Sequence, residues 1–402
     1  MTGGRRPGPA AAVGGVDWDA ADRRFMRRAL ALAARGRGST RPNPVVGAVI
    51  VRAGRVLAEG FHRRAGGPHA EIESLSALQR KGGHARGATL YVNLEPCCHT
   101  GRTGPCTQAI VGAGFSRVVV ACRDPNPKVN GRGLRALRRA GIRVDLGCLE
   151  PEAQAANRAF FVWITKGRPL VTLKAAMTLD GFIASRAPRR QKAPEWITGA
   201  QARQVAHQLR AEHDAVLVGA GTVAVDDPLL TVRLPGARRG RGGRGAQPLR
   251  VVLDGGLRTS PRARVLATGD DGARTLVVGA VGASAADARA LARTGATVAL
   301  LPARDGLQVP LDELLRWLAI RDIQSVLVEG GAAVLGAFIR AQLVDRVAVF
   351  VAPRLLGGGV PLAAGSGTSV ADGLRLGPVS VRAVGVDQLL TADVVAARPG
   401  GR

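Results

Sequence analysis

One histidine, one glutamate and two cysteines place the strongest constraint on what this chain can fold into. They lie in His69-Ala70-Glu71 and in the later run Glu95-Pro96-Cys97-Cys98-His99-Thr100-Gly101-Arg102-Thr103-Gly104-Pro105-Cys106. Zinc favours nitrogen and sulfur ligands in a tetrahedron, and a catalytic zinc takes three from protein and leaves the fourth position for water. His69, Cys97 and Cys106 form such a set, provided the fold draws three separated positions to one point. Glu71, two residues from His69, is placed to carry a proton and not to bind metal. Eight residues, Cys98 to Pro105, separate the two cysteines, and they include His99, Gly101 and Arg102. Such a loop suits a small phosphorylated substrate better than a base flipped out of a polynucleotide.

Length and composition bound the rest. A chain of 402 residues predicts two domains, each with its own core, and a hydrophobic share of 46% marks it as globular. No run approaches the eighteen or so apolar residues of a membrane span, so no membrane partner is expected. Residues 1–16 read as a Gly/Pro/Ala-rich tail and not as a signal peptide, which makes the expected location cytoplasmic. Of five cysteines, three fall within ten positions, a pattern that fits metal or catalysis better than a disulfide framework. The net charge of +27 raises a nucleic-acid reading, but aromatics at 3% leave few stacking platforms. The densest basic stretch, 235–250, reads as a solvated loop, so no nucleic-acid partner is expected.

Hydrophobic periodicity predicts a helix over 17–35, with Asp17 or Asp19 near its N-cap and Phe25, Met26, Ala29, Leu30 and Ala33 on one face. Strands follow at 45–51 and 55–59 around an Arg52-Ala53-Gly54 turn. His69 opens a helix to Leu78, and the end of a buried strand over 89–94 delivers Cys97. Pro105 suits the first turn of a helix to Ala113, which sets Cys106 at a helix N-terminus, where a thiolate is favoured. A strand at 118–121, a helix near 134–140 and a strand at 142–146 complete a domain over 17–149. One linker helix is predicted over 150–167. A second domain over 168–396 then opens with a strand at 170–175 and continues with strands at 215–219, 250–254, 275–279, 297–301, 325–328 and 346–352. Alternation of strands and helices implies α/β architecture in both halves.

Two glycine-bearing strand ends mark the second half. Asp214 to Val218 runs into Gly219-Ala220-Gly221-Thr222, with Asp226 and Asp227 just beyond, and Val326 to Val328 runs into Glu329-Gly330-Gly331 before a helix. Free amide hydrogens at such a helix start can cradle a cofactor phosphate. Neither run is a G-x-G-x-x-G fingerprint, so spacing alone does not argue for a dinucleotide. His84, His207, His213, Cys122 and Cys148 are taken as structural.

The motifs together resemble the bifunctional riboflavin-biosynthesis family, a pyrimidine deaminase fused to a reductase. The likeness spans roughly residues 20 to 360. It rests on Asn43-Pro44-Val45-Val46-Gly47-Ala48-Val49, His69-Ala70-Glu71, the Cys97–Cys106 segment, Asp124-Pro125-Asn126-Pro127, Thr172 to Gly181, Trp196-Ile197-Thr198-Gly199, Gly221 to Arg233 and Glu329-Gly330-Gly331. The His-x-Glu and Pro-Cys parts are the recognised signature of zinc deaminases. The resemblance implies an N-terminal cytidine-deaminase-like α/β/α sandwich with one zinc ion per chain, and a C-terminal dihydrofolate-reductase-like α/β domain that uses NADPH. It implies a small phosphorylated pyrimidine as substrate and a homo-oligomer through the reductase domain.

Site residues carry over by position. Asn43, His62, His99, Arg102, Asp124 and Asn126 match the deaminase's substrate contacts. Ala176, Trp196, Thr222, Asp226, Gly255 and the segment Gly331, Ala332, Ala333, Val334, Leu335, Gly336 and Ala337 match the cofactor site. Pro194, Arg210, Leu230, Arg233 and Glu329 match the second substrate site, with Arg210 and Arg233 read as phosphate clamps. The chain departs from the family's pattern at four places. Residues 185–195 are longer and more basic, Pro194 and Gly255 stand where serine is usual, and Cys98 replaces a serine beside Cys97. Two rival readings exist: a tRNA-editing deaminase, opposed by the cysteine spacing and the second half, and a non-catalytic binding protein, opposed by the intact ligand set and Glu71.

Overall fold

Asp19 starts the first helix, α1 (Ala20–Ala34), by accepting the N–H of Asp22 at 2.6 Å, which satisfies one of the helix's orphan donors. Phe25, Met26, Ala29 and Ala33 are buried on one face of it. The computed structural model describes residues 17–99, 104–186, 195–234, 247–267, 272–303, 306–365, 367, 369 and 371–395. The chain separates into two compact units between Asn157 and Arg158.

In the first unit, β1 (Gly47–Arg52) and β2 (Arg55–Phe61) pair antiparallel around Ala53 and Gly54. Both turn residues have positive φ, 47° and 70°, the geometry of a primed two-residue hairpin turn. Then come α2 (Ala70–Gln79), β3 (Thr89–Leu94), α3 (Cys106–Gly112), β4 (Arg117–Cys122), α4 (Arg132–Arg139), β5 (Arg143–Leu146) and α5 (Glu150–Ala156). The sheet order is β2-β1-β3-β4-β5, with β3, β4 and β5 parallel. Helices α1 and α5 cover one face and α2, α3 and α4 the other, giving the α/β/α sandwich.

Alternation along β3 assigns the two faces. Leu90 and Val92 join the core under α2 to α4, whereas Tyr91 and Asn93 point toward α1. The Tyr91 hydroxyl donates to Asp22 at 2.7 Å, and Arg117 donates two bonds of 2.8 Å to the same carboxylate. Burial opposes ionisation of Asp22, but Arg117 and Tyr91 hold its carboxyl below the usual range.

The single helix expected over 150–167 is two helices. Asn157 breaks it: its Oδ1 accepts the Val45 N–H at 2.8 Å and its Nδ2 donates to the Val45 carbonyl at 3.0 Å. Its φ of −112° leaves the helical range, and the chain restarts as α6 (Arg158–Lys166) in the second unit.

The second unit continues with β6 (Leu170–Thr178), β7 (Phe182–Ala184), α7 (Ala200–Glu212), β8 (Ala215–Gly219), α8 (Ala220–Asp226), β9 (Leu249–Leu253) and β10 (Thr275–Ala280). After these come α9 (Ala285–Ala292), β11 (Thr297–Leu301), α10 (Leu311–Ala319), β12 (Ser325–Val328), α11 (Ala332–Arg340), β13 (Arg346–Ala352), β14 (Val360–Pro361), β15 (Arg375–Leu376), β16 (Ser380–Val384) and β17 (Asp387–Val395).

Nine strands run in the order β11-β10-β9-β8-β12-β6-β13-β17-β15, and β16 adds to β17. From β11 to β13 every pairing is parallel, and β17 pairs antiparallel with β13. Strands β8 and β12 are buried throughout, as parallel strands covered on both faces must be. One face packs under α10 and α11, the other under α7, α8 and α9. Strand order reverses where β12 inserts between β8 and β6, and ligands of open α/β sheets bind beyond the carboxyl ends of strands at such a switch point.

Candidate active sites

A close backbone approach sets the position of His69 and Glu71. A Cβ on Gly60 of β2 would stand 2.4 Å from the Ser74 amide nitrogen and 2.6 Å from the Ala70 carbonyl, so only glycine lets the start of α2 lie this near the sheet. His69 is the N-cap of α2 and Glu71 its second residue. Cys97 follows the end of β3, and Cys106 is the first residue of α3, after Pro105. Three elements therefore converge, as the metal reading requires.

His69 Nδ1 lies 3.2 Å from Cys106 Sγ and 3.5 Å from Cys97 Sγ, and all three ligand atoms fall within 4.8 Å of one another. The Cys106 N–H also donates to Cys97 Sγ at 3.3 Å. This imidazole and two sulfurs fit zinc's preferred donors and leave one side open. Cys98 points elsewhere, with its Sγ 3.9 Å from the Lys128 carbonyl. A hydrogen bond from Cys106, with His69 beside it, pulls the Cys97 thiol down to about 4, while the same bond and burial push Cys106 up. Glu71 is 3% exposed, and burial raises its carboxyl above the usual range.

Around this centre the tautomer of His62 follows from its partners. Its Nδ1 donates to the Pro68 carbonyl at 2.9 Å, so Nε2 accepts from Asn43 Nδ2 at 3.1 Å. Asn43 is thereby oriented, and its side-chain oxygen remains available to a ligand. Burial lowers the His62 pKa below the ordinary imidazole value. Asp124 accepts the Asn126 N–H at 2.8 Å, and burial pushes its carboxyl up to about 6. His99 Nδ1 is buried without a hydrogen-bond partner among the described residues. Arg102 lies outside the described residues, as does Pro194.

Sequence reasoning missed the work of Glu95. This 3%-exposed carboxylate accepts N–H groups from Gly131 and Gly133 at 2.9 Å, from Leu134 at 3.2 Å and from Asp124 at 3.3 Å. It caps α4 and joins the strand end that delivers Cys97 to the loop that bears Asp124 and Asn126. The signal was a charged residue beside Pro96-Cys97, with no indication of its distant partners.

In the second unit, Glu329 leaves the end of β12 and is gripped by Arg210 through Nε at 2.6 Å and Nη2 at 2.9 Å, with Lys174 Nζ at 3.7 Å. Burial opposes its ionisation, yet Arg210 and then Lys174 bring it down to about 2. Arg210 also donates to the Thr231 carbonyl at 3.2 Å, so its guanidinium is committed within the protein instead of standing free as a clamp. Arg233 is less committed, with Nη1 3.0 Å from Thr231 Oγ1. His207, taken above as structural, belongs to this group: its Nδ1 accepts the Arg233 N–H at 3.4 Å. Burial first, and then Arg210 and Arg233, lower its pKa to about 4. By contrast His213 is structural, bonded to the Leu209 carbonyl and Thr172 Oγ1.

The starts of α8 and α11 lie side by side. Gly331, the N-cap of α11, donates its N–H to Thr222 Oγ1 at 2.9 Å, and a Cβ on Gly221 would meet open space. Ala332, Ala333 and Val334 form the first turn of α11; Val334 donates its N–H to the Gly331 carbonyl at 3.0 Å, and the Ala332 and Ala333 amide hydrogens suit a cofactor phosphate. The remainder of the expected segment turns inward. Leu335 is in the core, a Cβ on Gly336 would stand 2.1 Å from the Ala364 carbonyl, and Ala337 follows in the same helix. Ala176 packs toward α7, and Trp196 is 56% exposed beneath the Arg203 guanidinium, 4.8 Å from the ring centroid. Asp226 ends α8. Leu230 is buried in the core, away from the surface expected for a substrate contact. A Cβ on Gly255 would stand 1.8 Å from the Leu307 carbonyl, which fills the place a serine side chain would take.

Comparison with known proteins bears on both units. Residues 19–122 match the family described as cytidine and deoxycytidylate deaminase zinc-binding region, and residues 169–390 match the RibD C-terminal domain. The chain is 41% identical over 369 residues to the riboflavin biosynthesis protein RibD of Aquifex aeolicus, covering 92% of this chain and 97% of that one. To the RibD of Escherichia coli K12 it is 41% identical, covering 84% and 89%. Among solved structures it resembles Acinetobacter baumannii RibD, with a TM-score of 0.79, 38% identity and coverage of 94% and 99%. The diaminohydroxyphosphoribosylaminopyrimidine deaminase/5-amino-6-(5-phosphoribosylamino)uracil reductase of Thermotoga maritima gives 0.79 and 38%, covering 93% and 99%.

Proposed function

This chain belongs to the RibD family of bifunctional riboflavin-biosynthesis enzymes, and we propose how its residues divide the two reactions. The enzyme hydrolytically deaminates 2,5-diamino-6-(5-phosphoribosylamino)pyrimidin-4(3H)-one. It then reduces the ribosyl group of 5-amino-6-(5-phosphoribosylamino)uracil to ribityl with NADPH. The observation that carries the first half is the meeting of His69, Cys97 and Cys106 beside buried Glu71.

His69, Cys97 and Cys106 would hold zinc, which when bound would activate a water for attack on the carbon that bears the exocyclic amine. Glu71 is placed to accept one proton of the attacking water and pass it to the ring nitrogen, then to relay the remaining hydroxyl proton to the amine, which leaves as ammonia; its raised pKa suits both transfers. Asn43, oriented by His62, presents its oxygen to the pyrimidine. Asp124 and Asn126 are assigned to the base or ribose, and His99, whose Nδ1 has no partner among the described residues, is assigned with Arg102 to the phosphate by sequence position.

In the second unit bound NADPH would supply the hydride for the ribose carbon. Thr222 and the first turn of α11 are assigned to the cofactor, with Trp196, Ala176 and Asp226 assigned to it by sequence position. Arg233 takes the substrate phosphate, and Arg210 acts by fixing Glu329 at the floor. A coupled assay tests the division. Chelated, zinc-free protein should release no ammonia yet still oxidise NADPH with supplied 5-amino-6-(5-phosphoribosylamino)uracil; ammonia release at the normal rate would reject the zinc assignment.

We also propose self-association through the second unit. Val379 just before β16, Val381 within it and Val386 in the turn to β17 are 48%, 61% and 73% exposed, apolar side chains that a second copy would cover. Light scattering on Val381→Glu should report a smaller species than the parent protein, and equal masses would argue against this surface. Among the described residues no helix is long and apolar enough to cross a membrane.

A further inference from the structure

Arg233 is assigned above to the phosphate of the reductase substrate, and we infer that His207 is the positioning residue that holds it in place. The role of His207 rests on that assignment, because it acts through Arg233. Thr231, Val232 and Arg233 follow α8 in neither helix nor strand, so no ladder satisfies their backbone. Side chains do so instead. The Thr231 carbonyl accepts from Arg210 Nη1 at 3.2 Å, and the Arg233 N–H donates to His207 Nδ1 at 3.4 Å. Between them Gln247 engages both backbone groups of Val232, accepting its N–H at 2.7 Å and donating to its carbonyl at 3.1 Å.

His207 and Arg210 stand three positions apart on α7 and so share one face of it. From that face each reaches the same three-residue stretch, one at either end. Thr231 and Val232 are buried whereas Arg233 is exposed, so a tethered backbone leads directly into an accessible guanidinium. Arg233 Nη1 donates to Thr231 Oγ1 at 3.0 Å, and among the described residues no carboxylate pairs with it. Burial, then the charges of Arg210 and Arg264, lower its pKa, the setting of a cation that gains from an anion beside it. A residue that fixes such a cation must accept a hydrogen bond without cancelling the charge. A carboxylate at position 207 would accept the Arg233 N–H but also neutralise the guanidinium, and a lysine there could accept nothing. An imidazole held at about 4 is neutral near pH 7, and with its proton on Nε2 it leaves the Nδ1 lone pair for the Arg233 N–H.

Steady-state reduction by the full chain tests this role, with 5-amino-6-(5-phosphoribosylamino)uracil and the same compound without its phosphate as paired substrates. His207→Leu should raise KM for the phosphorylated substrate about tenfold, with kcat and NADPH affinity within about twofold of the parent. The kcat/KM for the dephosphorylated compound should not move. His207→Asn, which keeps an acceptor oxygen near the place of Nδ1, should recover most of the loss. In an Arg233→Ala background His207→Leu should add nothing further, because its effect passes through the guanidinium already removed. A parent-like KM in His207→Leu, equal losses for both substrates, or losses that multiply with those of Arg233→Ala would each overturn the role of His207. If Arg233→Ala leaves the preference for the phosphorylated substrate intact, the phosphate assignment itself fails, and the role of His207 with it.

Discussion

Glu71→Gln should lower the rate of ammonia release by about a hundred- to ten-thousandfold, the contribution of a positioned general acid–base group. The amide keeps the shape of the side chain but cannot accept the water's proton. Because Glu71 is not one of the three atoms that meet at the metal position, zinc content should stay at one ion per chain. NADPH oxidation with supplied 5-amino-6-(5-phosphoribosylamino)uracil should match the parent enzyme, since the two reactions use different units of the chain. Three measurements on one variant therefore separate proton transfer from metal binding and from folding. Retention of deamination with full zinc would reject the assignment of Glu71, whereas loss of zinc would make it a ligand.

A second large effect is expected at Glu329. Removing its carboxylate in Glu329→Ala leaves Arg210 and Lys174 without their shared counter-charge, and breaking a buried pair of this kind costs about 3–5 kcal/mol. Denaturant unfolding of the full chain should show the loss, and reduction should fall while ammonia release is retained. A shift below about 0.5 kcal/mol would mean that water or rearrangement already compensates these cations. The pH dependence has a defined sign. The folded carboxyl sits near 2, below its ordinary 4.5, so its stabilisation is complete above about 4.5 and drains away as pH falls toward 2. The parent protein should lose stability through that window, and Glu329→Ala should lose less.

Much of the fold was legible because parallel strands covered on both faces appear as short apolar runs. The strands at 89–94, 215–219, 297–301, 325–328 and 346–352 end where the sequence placed them. The metal position was equally plain, since a histidine at a helix N-cap and a cysteine after Pro105 announce their geometry locally. Contacts made across long separations were not. Nothing near Asn157 says that its amide is claimed by Val45, 112 positions earlier, so the helix break was invisible. His207 looked ordinary because its neighbours Arg210, Arg233 and Glu329 assemble only when α7 packs on the sheet. Strand β16 is mostly exposed and so lacks the apolar pattern that identified the others.

The bond between Asn157 and Val45 has a practical corollary for anyone who wishes to work with the hydrolytic half alone. A fragment cut at residue 149 would discard α5 and the amide that pins Val45, two residues beyond Asn43 and two before β1. The pyrimidine-facing end of that strand would then depend on Asn93 alone for its side-chain tethers. The first compact unit runs through Asn157, so truncations short of it should disturb the chain beside Asn43 before they disturb the metal position.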